Sequence, residues 1–299
     1  MAKPEIGFIG LGFMGTAMVE RLQTKGYKLT VIANRSRKAI DAAVERGAHE
    51  AKTARELAAA SDIVMLCVDT SDAVESRMRG PDGVIAGLRK DAIVIDFGTS
   101  LPASTRRLGA EVAAAGGHYM DAPLGRTPAH ALEGKLNIMA AGDKAVFDRV
   151  RPVLGDLGEN VFHLGVLGAG HIIKLINNFI AMTTANAVAE AFAMADATGI
   201  EREKLYSVIS AGPLRSAMMD FVKAYAVDGK ADALAFSVRN GRKDVGYYAA
   251  MADDAGIPSL ISPAVKQALT LALAAGYGDR MVPELVDFHS ALMRGKRGA

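Results

Sequence analysis

The sequence predicts two domains: an α/β domain with a doubly wound, mostly parallel sheet, and an all-α domain that a long helix joins to it. Strand-like and helix-like segments alternate through the first half of the chain, which is typical of a parallel sheet covered by helices on both faces. A glycine-rich turn follows the first strand. An Ala-rich stretch without proline then runs from Gly168 to Gly199, and helical patterns follow it.

The predicted elements of the first half follow one another in a regular order. Apolar runs predict five buried strands, at Glu5–Gly10, Lys28–Ala33, Asp62–Val68, Ala92–Phe97 and His118–Pro123. Helical patterns occupy Phe13–Lys25, Ser36–Arg46 and Ala103–Ala115. A glycine follows each helix, where a left-handed C-cap is expected. We place the domain boundary so that residues 1–164 form the α/β domain and residues 165–299 form the helical domain.

Length, charge and cysteine content exclude several classes of protein. The 299 residues can bury a large core, and a formal net charge of +2 is too small to indicate a nucleic-acid partner. No apolar run approaches the roughly 20 residues that a membrane span needs, and the first strand begins too early for a signal peptide. Cys67 is the only cysteine, which excludes an intramolecular disulfide. We therefore expect a cytoplasmic protein without a membrane partner.

The glycine-rich turn has the spacing G-x-G-x-x-G between a strand and a helix. Such a turn lets a pyrophosphate approach the backbone, and the helix N-terminus supplies N–H groups and a positive dipole end. The context of the motif, at the start of an alternating α/β chain, predicts a Rossmann domain that binds a dinucleotide. The predicted cofactor-binding residues are Gly10, Leu11, Gly12, Phe13, Met14 and Gly15.

The residues after the second strand indicate which dinucleotide is preferred. An NAD site usually carries Asp or Glu about 20 residues beyond the glycines. This chain has Asn34, Arg35 and Ser36 there. Arg35 can bind a 2′-phosphate and Ser36 can donate a hydrogen bond to it. We predict a preference for NADP(H), with NAD(H) as the alternative.

Four motifs in order, "GFIGLGFMG", "DAPLGR", "GAGHIIKLINN" and "RKDVGYYA", resemble those of the β-hydroxyacid dehydrogenase family, which includes 3-hydroxyisobutyrate dehydrogenase and tartronate semialdehyde reductase. The resemblance covers essentially the whole chain. It implies a Rossmann domain, a helical domain entered by a long helix, and self-association into dimers or tetramers. It also implies hydride transfer between a nicotinamide and a small anionic substrate.

The resemblance also implies roles for individual residues. Lys174 would be the proton donor or acceptor, and Asn178, four residues later on the same helix face, would be the second catalytic residue. Asn177 is a further substrate-binding candidate. Lys243 would approach the nicotinamide end of the cofactor, and Asp244 would support the substrate site.

Three more residues are assigned to the cofactor by the same resemblance. Cys67 and Val68 end the third predicted strand, and Thr99 would lie near the nicotinamide ribose. No metal site is predicted, because the histidines lack ligand spacing with acidic or thiol partners; structural or solvated roles are expected for His130, His163 and His171.

The segment "DAPLGRTPAH" departs from the family pattern. Gly125, Arg126 and Thr127 stand where the family has a Ser-Gly-Gly cradle for the substrate carboxylate. This substitution resembles the Gly-Arg-Thr stretch with which sulfolactaldehyde reductase holds a sulfonate. An arginine fork suits an anion with several oxygens, so these residues are predicted to bind a carboxylate, a sulfonate or another anion. Arg215 is a candidate for a second anion anchor.

The expected function is therefore an NADP(H)-dependent oxidoreductase that interconverts a small anionic aldehyde, of semialdehyde or sulfolactaldehyde type, and its β-hydroxy acid. Two alternatives are an imine reductase and a catalytically inactive, NADP-binding scaffold. Imine-reducing relatives usually carry Asp or Tyr in place of Lys174. The inactive relatives lose this lysine and carry extra domains, so the lysine argues against both alternatives.

Overall fold

The computed structural model describes residues 3–33 and 37–294. The chain divides into two compact units, Met1–Lys174 and Leu175–Ala299. This division falls later than the boundary we placed after residue 164. The difference arises because the first turn of the long helix is hydrogen-bonded within the N-terminal unit, where the Asp121 carboxylate accepts hydrogen bonds from the N–H groups of Gly168 and His171.

The described part of the N-terminal unit, residues 3–33 and 37–174, contains nine strands and eight helices before the long helix. The strands are β1 (Ile6–Ile9), β2 (Leu29–Ile32), β3 (His49–Ala51), β4 (Ile63–Leu66), β5 (Ile93–Asp96), β6 (His118–Asp121), β7 (Leu124–Gly125), β8 (Leu136–Ala140) and β9 (Gly158–His163). The helices are α1 (Phe13–Thr24), α2 (Lys38–Glu45), α3 (Ala54–Ala59), α4 (Ser71–Met78), α5 (Val84–Gly87), α6 (Pro102–Ala114), α7 (Pro128–Glu133) and α8 (Lys144–Leu157).

Six strands form one parallel sheet in the order β3-β2-β1-β4-β5-β6. Ile6 pairs with Leu29 of β2 on one side and with Ile63 of β4 on the other. The chain therefore adds strands first on one side of β1 and then on the other. The crevice at the carboxyl ends of the strands where this order switches is the usual ligand site of such a sheet. The prediction of a doubly wound, mostly parallel sheet is confirmed.

Alternate residues of the sheet enter two separate hydrophobic clusters. Ile63 and Met65 of β4 belong to one cluster, and Val64 and Leu66 belong to the other. Side chains alternate between the faces of a strand, so helices cover the sheet on both sides. This explains why a central strand such as β4 is a continuous apolar run rather than an alternating one.

Four strands were absent from the predicted set. The edge strand β3 has only three residues, of which His49 is exposed and Glu50 half-buried, so it carries no apolar run. A second sheet has the order β7-β8-β9, in which β7 pairs antiparallel and β9 parallel with β8. β7 has two residues and β9 is rich in polar residues, which left their pattern too weak to detect.

The long helix, α9, spans Ala169–Thr198 and lies between Gly168 and Gly199, both of which have positive φ angles. The helices that follow are α10 (Arg202–Ser210), α11 (Ala217–Ala226), α12 (Val238–Asp254), α13 (Ser262–Ala272) and α14 (Leu285–Arg294). Short turns of other helix types occupy Ala231–Leu234, Leu273–Tyr277 and Val282–Glu284. The prediction of an all-α second domain is confirmed.

Helix α9 is also long and apolar enough, by length and composition alone, to cross a membrane. This differs from the expectation that no apolar run in the chain approaches that length. The core helix of a soluble protein has the same length and composition, and 33% of the most apolar window of α9 is buried within the protein.

Candidate active site

The turn between β1 and α1 requires its glycines for two different reasons. Gly10 has a φ of +101°, and an added Cβ would overlap the carbonyl oxygen of Cys67. A Cβ on Gly15 would overlap the carbonyl oxygen of Gly10. A Cβ on Gly12, in contrast, would meet no atom within 4 Å. Gly10 and Gly15 are thus needed for close packing, and Gly12 faces open space at the N-terminus of α1.

This open space fits the pyrophosphate of a dinucleotide. Gly12 is the N-cap of α1 and provides no side-chain hydrogen bond to the first turn, so backbone N–H groups at the helix N-terminus can bind an anion. Leu11 and Met14 are partly buried against the core, whereas Phe13 is 85% exposed. The residues that would hold the pyrophosphate are those from Gly10 to Gly15.

The loops after β4 and β5 approach each other closely beside this turn. A Cβ on Gly98 would lie 2.8 Å from the carbonyl oxygen of Val68. The Asp96 carboxylate accepts hydrogen bonds from the Gly98 N–H and the Ser100 hydroxyl, both at 2.8 Å. These bonds fix the backbone on either side of Thr99, which is half-buried. Cys67 is partly exposed as a residue, but burial of its thiol raises the pKa to about 12.

Lys174 is the predicted catalytic residue that lies within the N-terminal unit. It is half-buried on α9, and its Nζ donates a 2.7 Å hydrogen bond to the carbonyl oxygen of Leu124. Leu124 and Gly125 form strand β7. The structure therefore brings the lysine to the segment that the sequence predicts to bind substrate.

The first turn of α9 is held in place by a buried carboxylate and a close backbone approach. The Asp121 carboxylate accepts hydrogen bonds from Gly168 N–H at 2.7 Å and from His171 N–H at 2.8 Å. A Cβ on Gly170 would overlap the carbonyl oxygen of Met139. Asp121 thus satisfies N–H groups that an uncapped helix start leaves without partners, and it fixes the turn that precedes Lys174.

In the C-terminal unit, four other predicted residues form one polar network. Asn178 Nδ2 donates to Asp244 Oδ2 at 2.6 Å, and Lys243 Nζ lies 3.0 Å from Asp244 Oδ1. Asn177 Nδ2 in turn donates to Asn178 Oδ1 at 3.1 Å. Asp244 is 1% exposed, so a buried carboxylate orients both the Asn178 amide and the Lys243 ammonium group.

Arg126 occupies an unusual backbone conformation and already has a carboxylate partner. Its φ is +75°, a region that favours glycine. Its Nη1 donates to the carbonyl oxygen of Lys135 at 2.7 Å and to Glu159 Oε2 at 2.5 Å. Thr127 Oγ1 lies 2.7 Å from His130 Nδ1. The predicted anion anchor is therefore part of an ion pair in the protein itself.

The remaining predicted residues are Arg215 in the C-terminal unit and three residues that follow β2. Arg215 Nη2 lies 3.6 Å from Asp220 Oδ2, and the arginine side chain is 61% exposed. Asn34, Arg35 and Ser36 lie outside the described residues. Among the residues that are described, no group of three or more His, Cys, Asp or Glu is arranged to hold a metal ion.

Residues 5–165 match the family described as the NAD binding domain of 6-phosphogluconate dehydrogenase. Residues 168–288 match a second family, described as "NAD-binding of NADP-dependent 3-hydroxyisobutyrate dehydrogenase". The chain is 31% identical to 2-(hydroxymethyl)glutarate dehydrogenase of Eubacterium barkeri, over 80% of this chain and 83% of that protein. The chain belongs to the β-hydroxyacid dehydrogenase family.

Two further proteins are similar to this chain over most of its length. The chain is 30% identical to 3-sulfolactaldehyde reductase of Escherichia coli, over 91% of each protein. The crystal structure of 3-hydroxyisobutyrate dehydrogenase from Salmonella typhimurium aligns with a TM-score of 0.83 at 26% identity, covering 96% of this chain and 100% of that one. The predictions that the protein is an enzyme and that it binds a nicotinamide dinucleotide are confirmed.

One buried polar cluster was not predicted from the sequence of this β-hydroxyacid dehydrogenase. Asp96, Asp121 and His171 are each 0% exposed, and His171 Nδ1 lies 2.8 Å from Thr105 Oγ1. One signal could have found part of it: Asp96 and Asp121 both end apolar strands, and the carboxyl ends of parallel strands share one edge of the sheet.

Proposed function

We propose that this enzyme uses NADP(H) to interconvert a small anionic aldehyde and its β-hydroxy acid. The observation that carries this proposal is the hydrogen bond between Lys174 Nζ and the carbonyl oxygen of Leu124. It holds an ammonium group against strand β7, next to the segment in which Arg126 replaces the family's glycine. Family membership supports the reaction class, and the residues from Gly10 to Gly15 fit the cofactor.

The chain's own residues would act on the substrate oxygen and on the substrate anion. The bound nicotinamide supplies or accepts the hydride at the carbonyl carbon. Lys174 would donate a proton to the oxygen in reduction and remove it in oxidation, since a general acid or base must reach that atom. Asn178, oriented by Asp244, would hydrogen-bond the substrate. We also propose that the enzyme assembles into dimers or tetramers, as the family resemblance implies, and that it is cytoplasmic, as expected from its composition.

A spectrophotometric panel tests the reaction class. NADPH oxidation is followed with succinic semialdehyde, tartronate semialdehyde, methylmalonate semialdehyde and sulfolactaldehyde, together with a neutral aldehyde and a cyclic imine. We expect turnover with at least one anionic aldehyde and a lower kcat/KM for the neutral one. Reduction of the imine with no aldehyde activity would instead indicate an imine reductase. Tight NADPH binding without turnover of any compound would indicate a scaffold.

The cofactor preference is expected to depend on Arg35. One charge-assisted hydrogen bond contributes about 1.5–3 kcal/mol, so kcat/KM should be roughly 10- to 100-fold higher with NADPH than with NADH. Arg35→Ala should remove most of this difference. Arg37→Ala is the matched control, because Arg37 is paired with Glu50 and Asp41 and its loss should leave the preference unchanged. Equal kcat/KM values for the two cofactors in the unaltered enzyme would refute the assignment.

We propose that Arg126 exchanges Glu159 for the anionic group of the substrate. Both partners present oxygen atoms to a guanidinium fork, and Glu159 is 52% exposed, so it can be released to solvent. Arg126→Gly is the preferred variant, because glycine adopts a φ of +75° without strain. It should raise KM for an anionic aldehyde by about 10-fold or more, since the lost charge-assisted contact is worth about 1.5–3 kcal/mol.

A second variant separates anion binding from a bracing role of Arg126. Glu159→Gln removes the competing carboxylate, so KM for the anionic aldehyde should fall while KM for a neutral aldehyde of the same size stays constant. Carboxylate and sulfonate forms of the substrate are compared in the same assay. If both variants change the two aldehydes equally, Arg126 only braces the loop, and the anion must be sought near Arg215.

A further inference from the structure

Four buried polar side chains meet where α6 and α9 pack against the ends of β5 and β6. Asp96 and Asp121 end these two strands, Thr105 lies on α6 and His171 lies on α9. Each of the four is at most 1% exposed. Burying two carboxylates is strongly unfavourable unless they are hydrogen-bonded and electrically compensated, so the protonation of His171 decides how this cluster is stabilised.

The hydrogen bonds of Thr105 identify which nitrogen of His171 carries a proton. The Thr105 hydroxyl has a single proton and lies 3.2 Å from the carbonyl oxygen of Leu101 and 2.8 Å from His171 Nδ1. When it donates that proton to Leu101, it can only accept from His171, and Nδ1–H is then the donor. This arrangement places the first ring proton on Nδ1.

The other nitrogen of His171 faces a carboxylate. His171 Nε2 lies 3.7 Å from Asp96 Oδ2 and has no hydrogen-bond partner among the described residues. An unprotonated Nε2 would direct its lone pair toward this negative charge, which is repulsive. A protonated Nε2 makes the ring an imidazolium that attracts Asp96 on one side and Asp121, 3.8 Å from Nδ1, on the other.

The other groups around the cluster are compatible with a positive ring. Burial raises the pKa of Asp121, and the charge of His171 opposes this shift. Tyr119 on β6 is buried, and its burial and the charges of both aspartates raise its pKa. Arg106 on α6 lies beside the backbone of Gly168. Arg106 is exposed, and Lys174 follows His171 on α9.

Each aspartate holds a different part of the site. Asp96 fixes the backbone on both sides of Thr99, and Asp121 fixes the first turn of α9, which precedes Lys174. We propose that His171 is a positioning residue whose imidazolium bridges Asp96 and Asp121. The bridge thereby holds the backbone around Thr99 and the first turn of α9 together. The effect on catalysis rests on the proposed function, whereas the bridge itself does not.

The first test uses kinetics and a charge-neutral variant. His171→Gln retains a side-chain hydrogen-bond donor but cannot carry a positive charge. We expect kcat to fall about 10- to 100-fold, because small misplacements of catalytic groups have effects of this size, while KM for the aldehyde changes much less. His118→Gln is the matched control, because His118 is half-buried at the opposite end of β6 and its Nε2 lies 3.9 Å from the exposed Asp91.

The second test needs no turnover. Ring nitrogen chemical shifts of His171 in the unaltered protein, assigned with the Gln variant or by selective labelling, should show both nitrogens protonated at pH 7. Amide hydrogen exchange at Gly168 and His171 should be slow in the unaltered protein and faster in Thr105→Val, which lacks the acceptor for Nδ1–H. A neutral ring at pH 7, or a Gln variant with the kinetics of the His118 control, would overturn the proposal. If the unaltered protein turns over no aldehyde, the proposed function fails, and these measurements still decide on the bridge.

Discussion

Replacing Lys174 by alanine is expected to lower kcat by about 10²- to 10⁴-fold, the usual contribution of a general acid or base. The variant loses the ammonium group that Leu124 holds by its carbonyl oxygen, while helix α9 keeps a residue with high helix propensity. The measurement is the kcat of aldehyde reduction over a range of pH, with the Kd for NADPH determined separately by fluorescence. We expect that Kd to change little.

Lys144→Ala provides the control for this variant. Lys144 is 63% exposed and paired with Asp148 on the surface of the N-terminal unit, so its loss should leave kcat and the Kd for NADPH unchanged. If Lys174→Ala retains more than about a tenth of the normal kcat, proton transfer by this lysine is wrong. A loss of NADPH binding instead of kcat would assign Lys174 to the cofactor.

The second large effect is expected at the glycine turn, where two alanine variants should fail in different ways. Gly15→Ala forces a Cβ into the carbonyl oxygen of Gly10. Overpacking costs about 1–3 kcal/mol and more when backbone must move, so Tm should fall by about 2–12 °C, and NADPH binding should weaken with it.

Gly12→Ala should leave the fold intact and affect only the cofactor. Its Cβ meets no protein atom within 4 Å, and the φ of −75° at Gly12 is ordinary for alanine. The methyl group would occupy the space assigned to the pyrophosphate, so we expect an unchanged Tm in the absence of cofactor and at least a 10-fold higher Kd for NADPH, a loss of about 1.4 kcal/mol. Unchanged NADPH binding by Gly12→Ala would place the pyrophosphate elsewhere.

The strands and the long helix were predictable because their signals are local. β4 is an uninterrupted apolar tetrapeptide and β5 has three apolar residues before Asp96, and α9 lies between two glycines with positive φ. β3 and β9 carry no such run. β3 pairs on only one side, at the edge of the sheet, and the outer strand β9 pairs only with β8. Short edge strands with polar residues are stabilised by their neighbours rather than by their own pattern.

The partners of the site residues could not be predicted, because they are distant in sequence. Arg126 was recognised from its charge and position, but its partner Glu159 is 33 residues away. The His171 amide bonds a carboxylate 50 residues earlier, and its ring contacts a threonine 66 residues earlier. A histidine of this kind has no local pattern, so the expectation of a structural or solvated role described its surroundings incompletely.

The environment of Cys67 has a practical consequence for experiments on this protein. Because burial raises the pKa of the Cys67 thiol to about 12, the reactive thiolate is scarce at pH 7. Maleimide and iodoacetamide reagents should therefore react slowly with the native chain. A pair of cysteines introduced at exposed positions such as Val166 and Leu260 can then carry two spin labels without removal of the natural cysteine, so the distance between the labels can be measured.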